Sequence, residues 1–361
     1  MDKQTINSVS ASYYDQKLSK MISGIAILLM LILHIWGNKG WRIDGNECLP
    51  LVEYHGFSLM RLLGVFAGIC VNIFAFNNGY AIWVRREDFS RPLMNLKRAL
   101  RFLVSYWVIM AWFFLIPFFT TDSYPDGKQL LLNLFGINCG LVYPNINVVF
   151  AWYVSFYLLV LMVAPFFLYV IGRCTRFVTD LAVCIGLYMV ILFIRNYLPL
   201  PFVDLNYNLP YFGSVLIGML AAKYNLLQKI GNKLIGRGNW VLLAILLIVV
   251  VVQLFLSVQL WAKFYTGLQE INVLILIAVM IMLFKRYNSG RILKFLTLMG
   301  TYSLNIWFLH GIFFTESRDL QWLLYWPKYS VLVMVWAWLL LLPLSYVVTR
   351  LQQWIIKTIK I

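Results

Sequence analysis

Residues 240–261 read WVLLAILLIVVVVQLFLSVQLW, twenty-two consecutive positions without a charged side chain. About 20 apolar residues is the length an α-helix needs to cross a hydrocarbon core of roughly 30 Å. The apolar positions run on without alternating, so the period-2 pattern of a membrane barrel strand is missing. Lipid offers no water to a backbone N–H or C=O, which leaves the helix as the conformation for such a segment. Working outward, comparable segments recur at Met21–Trp36, Leu62–Trp83, Phe102–Phe119, Val148–Ile171, Phe177–Ile194, Phe212–Leu226, Ile271–Phe284, Phe295–Phe314 and Ser330–Val348. The expected fold class is an all-α integral membrane protein with about ten transmembrane helices.

Composition agrees. Hydrophobic residues fill 62% of the 361 positions and charged ones 12%, whereas soluble domains are about half apolar and a quarter charged. The net charge of +16 raises nucleic acid as a partner, and the placement of the basic residues decides against it. With the N-terminus inside, the N-tail, the even-numbered loops and the C-tail hold 22 of the 30 Lys and Arg. That is the positive-inside pattern, and only an even number of spans carries it through to Lys357 and Lys360. Both termini are therefore expected in the cytoplasm: residues 1–20 as an N-tail, 21–349 as one transmembrane domain and 350–361 as a C-tail. The basic residues are topology determinants before they are ligands, and no nucleic acid is expected.

The first apolar stretch is as short as a signal-peptide core, but no small-residue cleavage site follows it, so it is read as retained. Five cysteines show no metal-like spacing, and their odd number argues against a full disulfide framework. Cys48 and Cys139 both map outside, as two thiols or as a pair. P-loop, HExxH and GxSxG patterns are absent, and no metal is expected. Gly64 and Gly68 form a GxxxG that reads as a helix-contact face.

Ionisable groups inside a membrane helix are costly, so the few present mark candidate sites. His34 lies 13 residues beyond Met21, about 20 Å into the core at 1.5 Å per residue. His310 sits at a similar outer-half depth in the ninth segment, and His55 lies in an outer loop beside Glu53. A histidine exchanges protons near neutral pH without a permanent charge, which suits a general base acting on a hydroxyl. His34 is the candidate base. The alternative is an interhelical hydrogen bond to a Ser, Asn or Tyr, and for His310 the polar stretch GTYSLNIWFLHG already provides such partners. In RPLMNLKRALRF, Arg98 and Arg101 stand three apart on one helix face at the cytoplasmic mouth. Their guanidinium forks suit phosphates, and the positive-inside rule alone also explains them.

Taken in order, these residues resemble the acyltransferase-3 family of integral membrane acyltransferases, and within it the glycan O-acetyltransferases. GIAILLMLILH is similar to the family's first motif, which ends in its catalytic His, here His34. VNIFAFNNGYAI resembles its Val-Pro-x-Phe and Ser-Gly-Tyr segment, Arg98-x-x-Arg101 its R-x-x-R, and WYVSFYLLVLMVAP its Trp-Tyr-Leu to Pro stretch. LPYFGSVLIGML and GTYSLNIWFLH resemble its Phe-Gly helix and its closing Tyr-Ser to Leu-His segment. The family's Arg eleven positions before the His is replaced by Ser23, with Lys20 one turn earlier on that face; Asn72 stands for Pro and Asn78 for Ser.

The resemblance implies transfer of an acyl group, acetyl from acetyl-CoA, to a hydroxyl of a lipid-linked or surface glycan at a multi-pass site in the bacterial cytoplasmic membrane. Arg98, Arg101 and Lys20 would bind the CoA phosphates, His34 would act as base or be acylated itself, and Asn78, Tyr302 or His310 would donate to the developing oxyanion. The acceptor side is expected at the outer loops, where Asp44, Glu47, Glu53, Asp122, Asp126 and Asp204 are found among aromatics. Two other readings remain: a transporter or flippase for a glycan or lipid-linked sugar, against which no inverted repeat is found, and a catalytically impaired relative that has lost the Arg.

Overall fold

The computed structural model describes residues 13–37, 48–54, 57–120, 127–137, 152–197, 208–259, 268–287, 290–314 and 318–359. Asp15 caps the first helix, its carboxylate accepting from Leu18 N at 2.8 Å. The helices that follow are α1 (Gln16–Ile32), α2 (Leu59–Ala67), α3 (Cys70–Val84), α4 (Arg86–Phe89), α5 (Pro92–Thr120), α6 (Gly127–Leu134), α7 (Trp152–Arg173) and α8 (Phe177–Tyr197). Then come α9 (Phe212–Lys223), α10 (Leu226–Leu234), α11 (Asn239–Gln259), α12 (Leu268–Arg286), α13 (Gly290–Thr301), α14 (Ser303–His310), α15 (Arg318–Tyr325) and α16 (Ser330–Thr358). Among the described residues, the only sheet is a two-residue hairpin pairing β1 (Glu53–Tyr54) with β2 (Phe57–Ser58). The all-α membrane class expected from the sequence is the class observed.

Among the described residues, seven spans are long and apolar enough to cross a membrane, or eight if the bent pair α13 and α14 counts as one. Each of the ten expected segments overlaps a helix, yet several are not straight rods. The first leaves α geometry at Ile32 for a π-turn, Leu33–Gly37, which carries His34. The second breaks between Ala67 and Cys70, and the ninth bends by 63° at Tyr302. The sixth stops at Lys223, where Asn225 adopts a left-handed φ of 53° and turns the chain into α10. The third begins earlier than expected, at Pro92, a residue suited to a helix start because its missing N–H is not needed there. Arg98 and Arg101 therefore stand inside α5 rather than at its mouth.

The connections sort to two ends of the bundle, as alternating spans require. At one end, Lys285 lies over the Tyr13 ring at 3.3 Å, and Lys223 lies over Trp83 at 5.2 Å while donating to the carbonyls of Ile171 and Cys174. Buried Asp180 pairs with that same lysine. At the other end, Leu49 exchanges backbone bonds with Lys328 and Ser330, Trp36 Nε1 donates to the Ser330 carbonyl, and Asn208 donates to the Trp152 carbonyl. Among the described residues, the contacts between connections thus fall into these two groups.

Packing rests on glycines at crossings. A Cβ on Gly24 would overlap the Leu296 carbonyl and one on Gly300 the Lys20 carbonyl, which fixes α1 against α13. Gly79 meets the Val215 carbonyl and Gly218 the Phe76 carbonyl, bringing α3 and α9 into backbone contact. The GxxxG reading holds only for Gly64, which packs on Gly37; a Cβ at Gly68 would meet only Val65 O of its own turn, at 3.4 Å. One added methyl at Gly24 or Gly218 is expected to destabilise by about 1–3 kcal/mol. Gly24→Ala and Gly218→Ala should therefore lower the melting temperature of the detergent-solubilised protein. Gly186→Ala, whose methyl would meet nothing within 4 Å, should not lower it.

Candidate functional site

The π-turn after α1 and the last turn of α14 bring two imidazoles together. His34 and His310 stack with ring centroids 4.9 Å apart and planes 28° off parallel, and both side chains are buried. His310 Nδ1 contacts the carbonyl of Trp307 one turn back, which places the proton on Nδ1 and the lone pair on Nε2. Non-α turns of this kind recur where a side chain must be re-aimed, and the widened turn aims His34 at its partner.

A second group of residues surrounds a cavity of about 340 Å³ lined by Asn78, Ala81, Ile82, Arg85, Phe89, Arg98, Arg101, Tyr157, Val160 and Leu161. Its cationic wall is assembled by the short segment between α3 and α5. Asp88 accepts from Arg85 at 3.1 Å and from Arg98 at 3.2 Å. Arg98 also donates to Asn95 Oδ1 at 3.0 Å and stacks on the Phe89 ring at 4.0 Å. Buried Asn95 donates in turn to the carbonyls of Phe89 (2.8 Å) and Leu161 (3.2 Å), tying this segment to α7. Three guanidiniums against one carboxylate leave the wall net positive, which fits a polyanion such as the phosphates of a nucleotide-bearing thioester.

Between the two groups stands a partition of aromatic rings. Asn78, on the cavity wall, donates to the Tyr153 hydroxyl at 2.8 Å. Tyr153 packs on Trp307 with centroids 5.0 Å apart, and Phe74 meets Trp307 edge-on at 5.3 Å. Trp307 lies one helical turn from His310. A chain of contacts therefore links Asn78 on the cavity wall through Tyr153 to Trp307, one helical turn from His310.

Of the residues singled out in the sequence, His34 and His310 come together, and so do Asn78, Arg98 and Arg101. Lys20 does not line the arginine cavity; its carbonyl abuts Gly300 on α13, and it stands 14 residues from His34. Tyr302 sits at the α13–α14 bend, packed on Tyr346 with centroids 6.1 Å apart, at the far end of α14 from His310. Ser23, in place of the family's Arg, accepts from Asn77, whose Oδ1 accepts from the Tyr14 hydroxyl at 2.6 Å. Asn72 donates to Ser214 at 3.0 Å and accepts from Gln269 at 3.0 Å, on the α9 and α12 side of α3. His55, Cys139 and the acids Asp44, Glu47, Asp122, Asp126 and Asp204 lie outside the described residues. Sequence reasoning missed Arg85, Tyr153, Tyr157 and Trp307. Arg85 stands three residues before Asp88, a spacing that invites an ion pair, whereas the aromatics are hidden in a chain that is 17% Phe, Trp and Tyr. Among the described residues no group of three or more His, Cys, Asp or Glu is placed to hold a metal ion.

The model of a family described as an acyltransferase domain matches residues 22–350. No curated protein and no solved structure is significantly similar to the chain. Asn95→Leu removes two bonds to carbonyls and one acceptor of Arg98. It is expected to destabilise by about 1–3 kcal/mol, the cost of leaving buried polar groups unpaired. Trypsin should then cut faster after Arg85, Arg86 and Arg91, and an unchanged digestion pattern would show that Asn95 does not hold this segment.

Proposed function

This chain belongs to the acyltransferase-3 family, and from that premise we propose that it moves an acetyl or other short acyl group from acyl-CoA to a hydroxyl of a surface or lipid-linked glycan. It is a multi-pass membrane acyltransferase; the donor, the acceptor and the bacterial cytoplasmic membrane as its location belong to this proposal. So do ten crossings with both termini cytoplasmic, a reading that the positive-inside count favours. One observation carries the reading: an arginine-lined cavity reaches Asn78, Asn78 donates to Tyr153, and Tyr153 packs on Trp307, one helical turn from His310 of the stacked imidazole pair.

In this reading Arg98, Arg101 and Arg85 bind the phosphates of the donor at the cytoplasmic end, and the thioester end points past Asn78 toward the histidines. His34 removes the proton of the acceptor hydroxyl as the oxygen bonds to the thioester carbonyl carbon. The carbon–sulfur bond breaks, and the imidazolium returns the proton to the departing thiolate, so no proton is left over. His310, held by the Trp307 carbonyl, orients the base through the ring stack. Asn78 is a candidate oxyanion donor if its amide turns from Tyr153. Tyr302 and Lys20 have no part in this step. The carrier alternative draws on the interrupted spans α2–α3 and α13–α14, since broken helices often frame transport sites; a carrier leaves the thioester intact.

His34→Ala should reduce acetyl transfer from labelled acetyl-CoA to glycan by about 10²–10⁴-fold, the usual contribution of a positioned base, while insertion and expression persist. Normal transfer would remove the assignment. Arg98→Ala combined with Arg101→Ala should weaken equilibrium binding of labelled CoA about tenfold or more, each charged hydrogen bond being worth about 1.5–3 kcal/mol. Unaltered CoA binding would reduce those arginines to topology anchors. Reporter fusions should read cytoplasmic at Ser90 and external at Lys328, and the reverse result would invert the topology.

A further inference from the structure

We propose that the Tyr157 hydroxyl is a further phosphate ligand beside the three arginines, acting with Arg98 on the diphosphate that adjoins the thioester arm. The inference rests on the acyl-CoA reading and gives a binding role to a side chain that no charge or spacing pattern marks. Tyr157 lines the arginine cavity from α7, one turn beyond Tyr153, and its ring packs on Phe102 of α5 with centroids 4.5 Å apart. Phe102 stands one turn beyond Arg98 on the same helix, so this contact holds the phenol on the Arg98 side of the cavity. The charges of Arg98 and Arg85 both act on the Tyr157 hydroxyl. Among the described residues no group forms a hydrogen bond with that hydroxyl, and it is not one of the polar atoms sealed inside the protein. Tyr153 differs, because its hydroxyl is already taken by Asn78. A half-buried phenol on a cavity wall, near two guanidiniums and without a protein partner, is a donor free for a ligand.

The hydrogen bonds of Arg98 show why a phosphate at that depth needs more than the guanidinium. Arg98 Nη1 donates to Asn95 Oδ1 at 3.0 Å and to the Asp88 carbonyl at 3.4 Å, and Nη2 donates to the Asp88 carboxylate at 3.2 Å. Of the roughly five N–H donors an arginine carries, most are thus spent on the protein. Arg85 and Arg101 are exposed at the rim, whereas Arg98, Tyr157 and Asn78 are half-buried, so an anion that passes the rim meets Arg98 and Tyr157. Ile82, Val160 and Leu161, also in the lining, are apolar and offer no donor. A phosphate has more acceptor oxygens than the remaining N–H groups can fill. A phenol adds an O–H without adding a charge, which a further cation inside the bundle would not do.

The test measures equilibrium binding of CoA and of dephospho-CoA, which lacks the ribose phosphate and keeps the diphosphate, to the purified full-length protein. Tyr157→Phe keeps the ring on Phe102 and loses only the O–H. It should weaken CoA about tenfold, the usual worth of a hydrogen bond to a charged group. Dephospho-CoA should weaken by the same factor, and the melting temperature of the ligand-free protein should not change. Unaltered CoA affinity in Tyr157→Phe, with the dependence on Arg98 and Arg101 intact, overturns this inference and leaves the donor reading standing. A loss seen with CoA and absent with dephospho-CoA also overturns it, since the contact then belongs to the ribose phosphate. A lowered melting temperature of the ligand-free variant assigns the hydroxyl to folding and overturns it too. Wild-type protein that binds neither compound sinks the donor reading itself.

Discussion

The backbone contact between α3 and α9 is the constraint on which the rest of the molecule depends. Lipid gives two helices no hydrophobic reason to associate, so close approach through small residues has to supply the attraction. Gly79 and Gly218 supply it reciprocally, each facing the other helix's backbone. With α3 held in this way, each of its polar residues has a defined neighbour. Asn72 turns to Ser214 and Gln269, Asn77 to Ser23 and Tyr14, and Asn78 to Tyr153. Phe74 meets Trp307, and the last turns of the helix form one side of the arginine cavity. A shift of α3 by one residue would unpair three amides in a medium with nothing else to bond them.

Segments such as residues 240–261 were legible because hydrophobic length is a property of the local sequence, and lipid imposes a helix on it. The meeting of His34 with His310 was half legible. Counting residues gave both rings a similar depth, but depth says nothing about which faces turn toward each other. The π-turn was not foreseen: Gly37, which packs on Gly64, marks where the helix weakens, but a glycine does not say that the turn before it widens. Arg98 and Arg101 were found from the R-x-x-R spacing. That Asp88 and Asn95 already engage Arg98 was not, since the spacing of two arginines says nothing of which acid or amide folds against them. Lys20 and Tyr302 were misplaced for one common reason. Helical periodicity gives the face of a residue on its own helix, whereas the company it keeps depends on the neighbour, α13 for the first and α16 for the second.

The replacement of the family's Arg by Ser23 can be followed through the structure. Ser23, Asn77 and Tyr14 form a neutral chain of hydrogen bonds where the resemblance leads one to expect a cation. A buried guanidinium without a partner is far costlier than a serine, so the neutral chain is a self-consistent solution. The positive charge is concentrated at the cavity instead, where Arg85 joins Arg98 and Arg101. Asp88 lowers that charge by one and also fixes the orientation of two of the guanidiniums. Of the three, Arg98 is the one held by several contacts, to Asp88, Asn95 and the Phe89 ring, while the Arg85–Asp88 pair is exposed and contributes little.

The separation between arginines and histidines follows from the cost of charge in lipid. Cations are tolerated at the end of the bundle where water reaches them, while a group at the depth of His34 must be able to rest uncharged. A single residue cannot meet both demands, so the proposed acyl-transfer reading assigns donor binding and proton transfer to different depths, with aromatic rings between them. An open water-filled channel there would expose a thioester to hydrolysis, and a row of polar side chains would need partners at every step. Rings in contact, such as Tyr153, Trp307 and Phe74, avoid both problems. They bury apolar area and, on the same reading, would keep water from the reacting carbon. Asn78 is a polar side chain on the cavity wall, and its bond to Tyr153 joins that wall to the aromatic rings packed on Trp307.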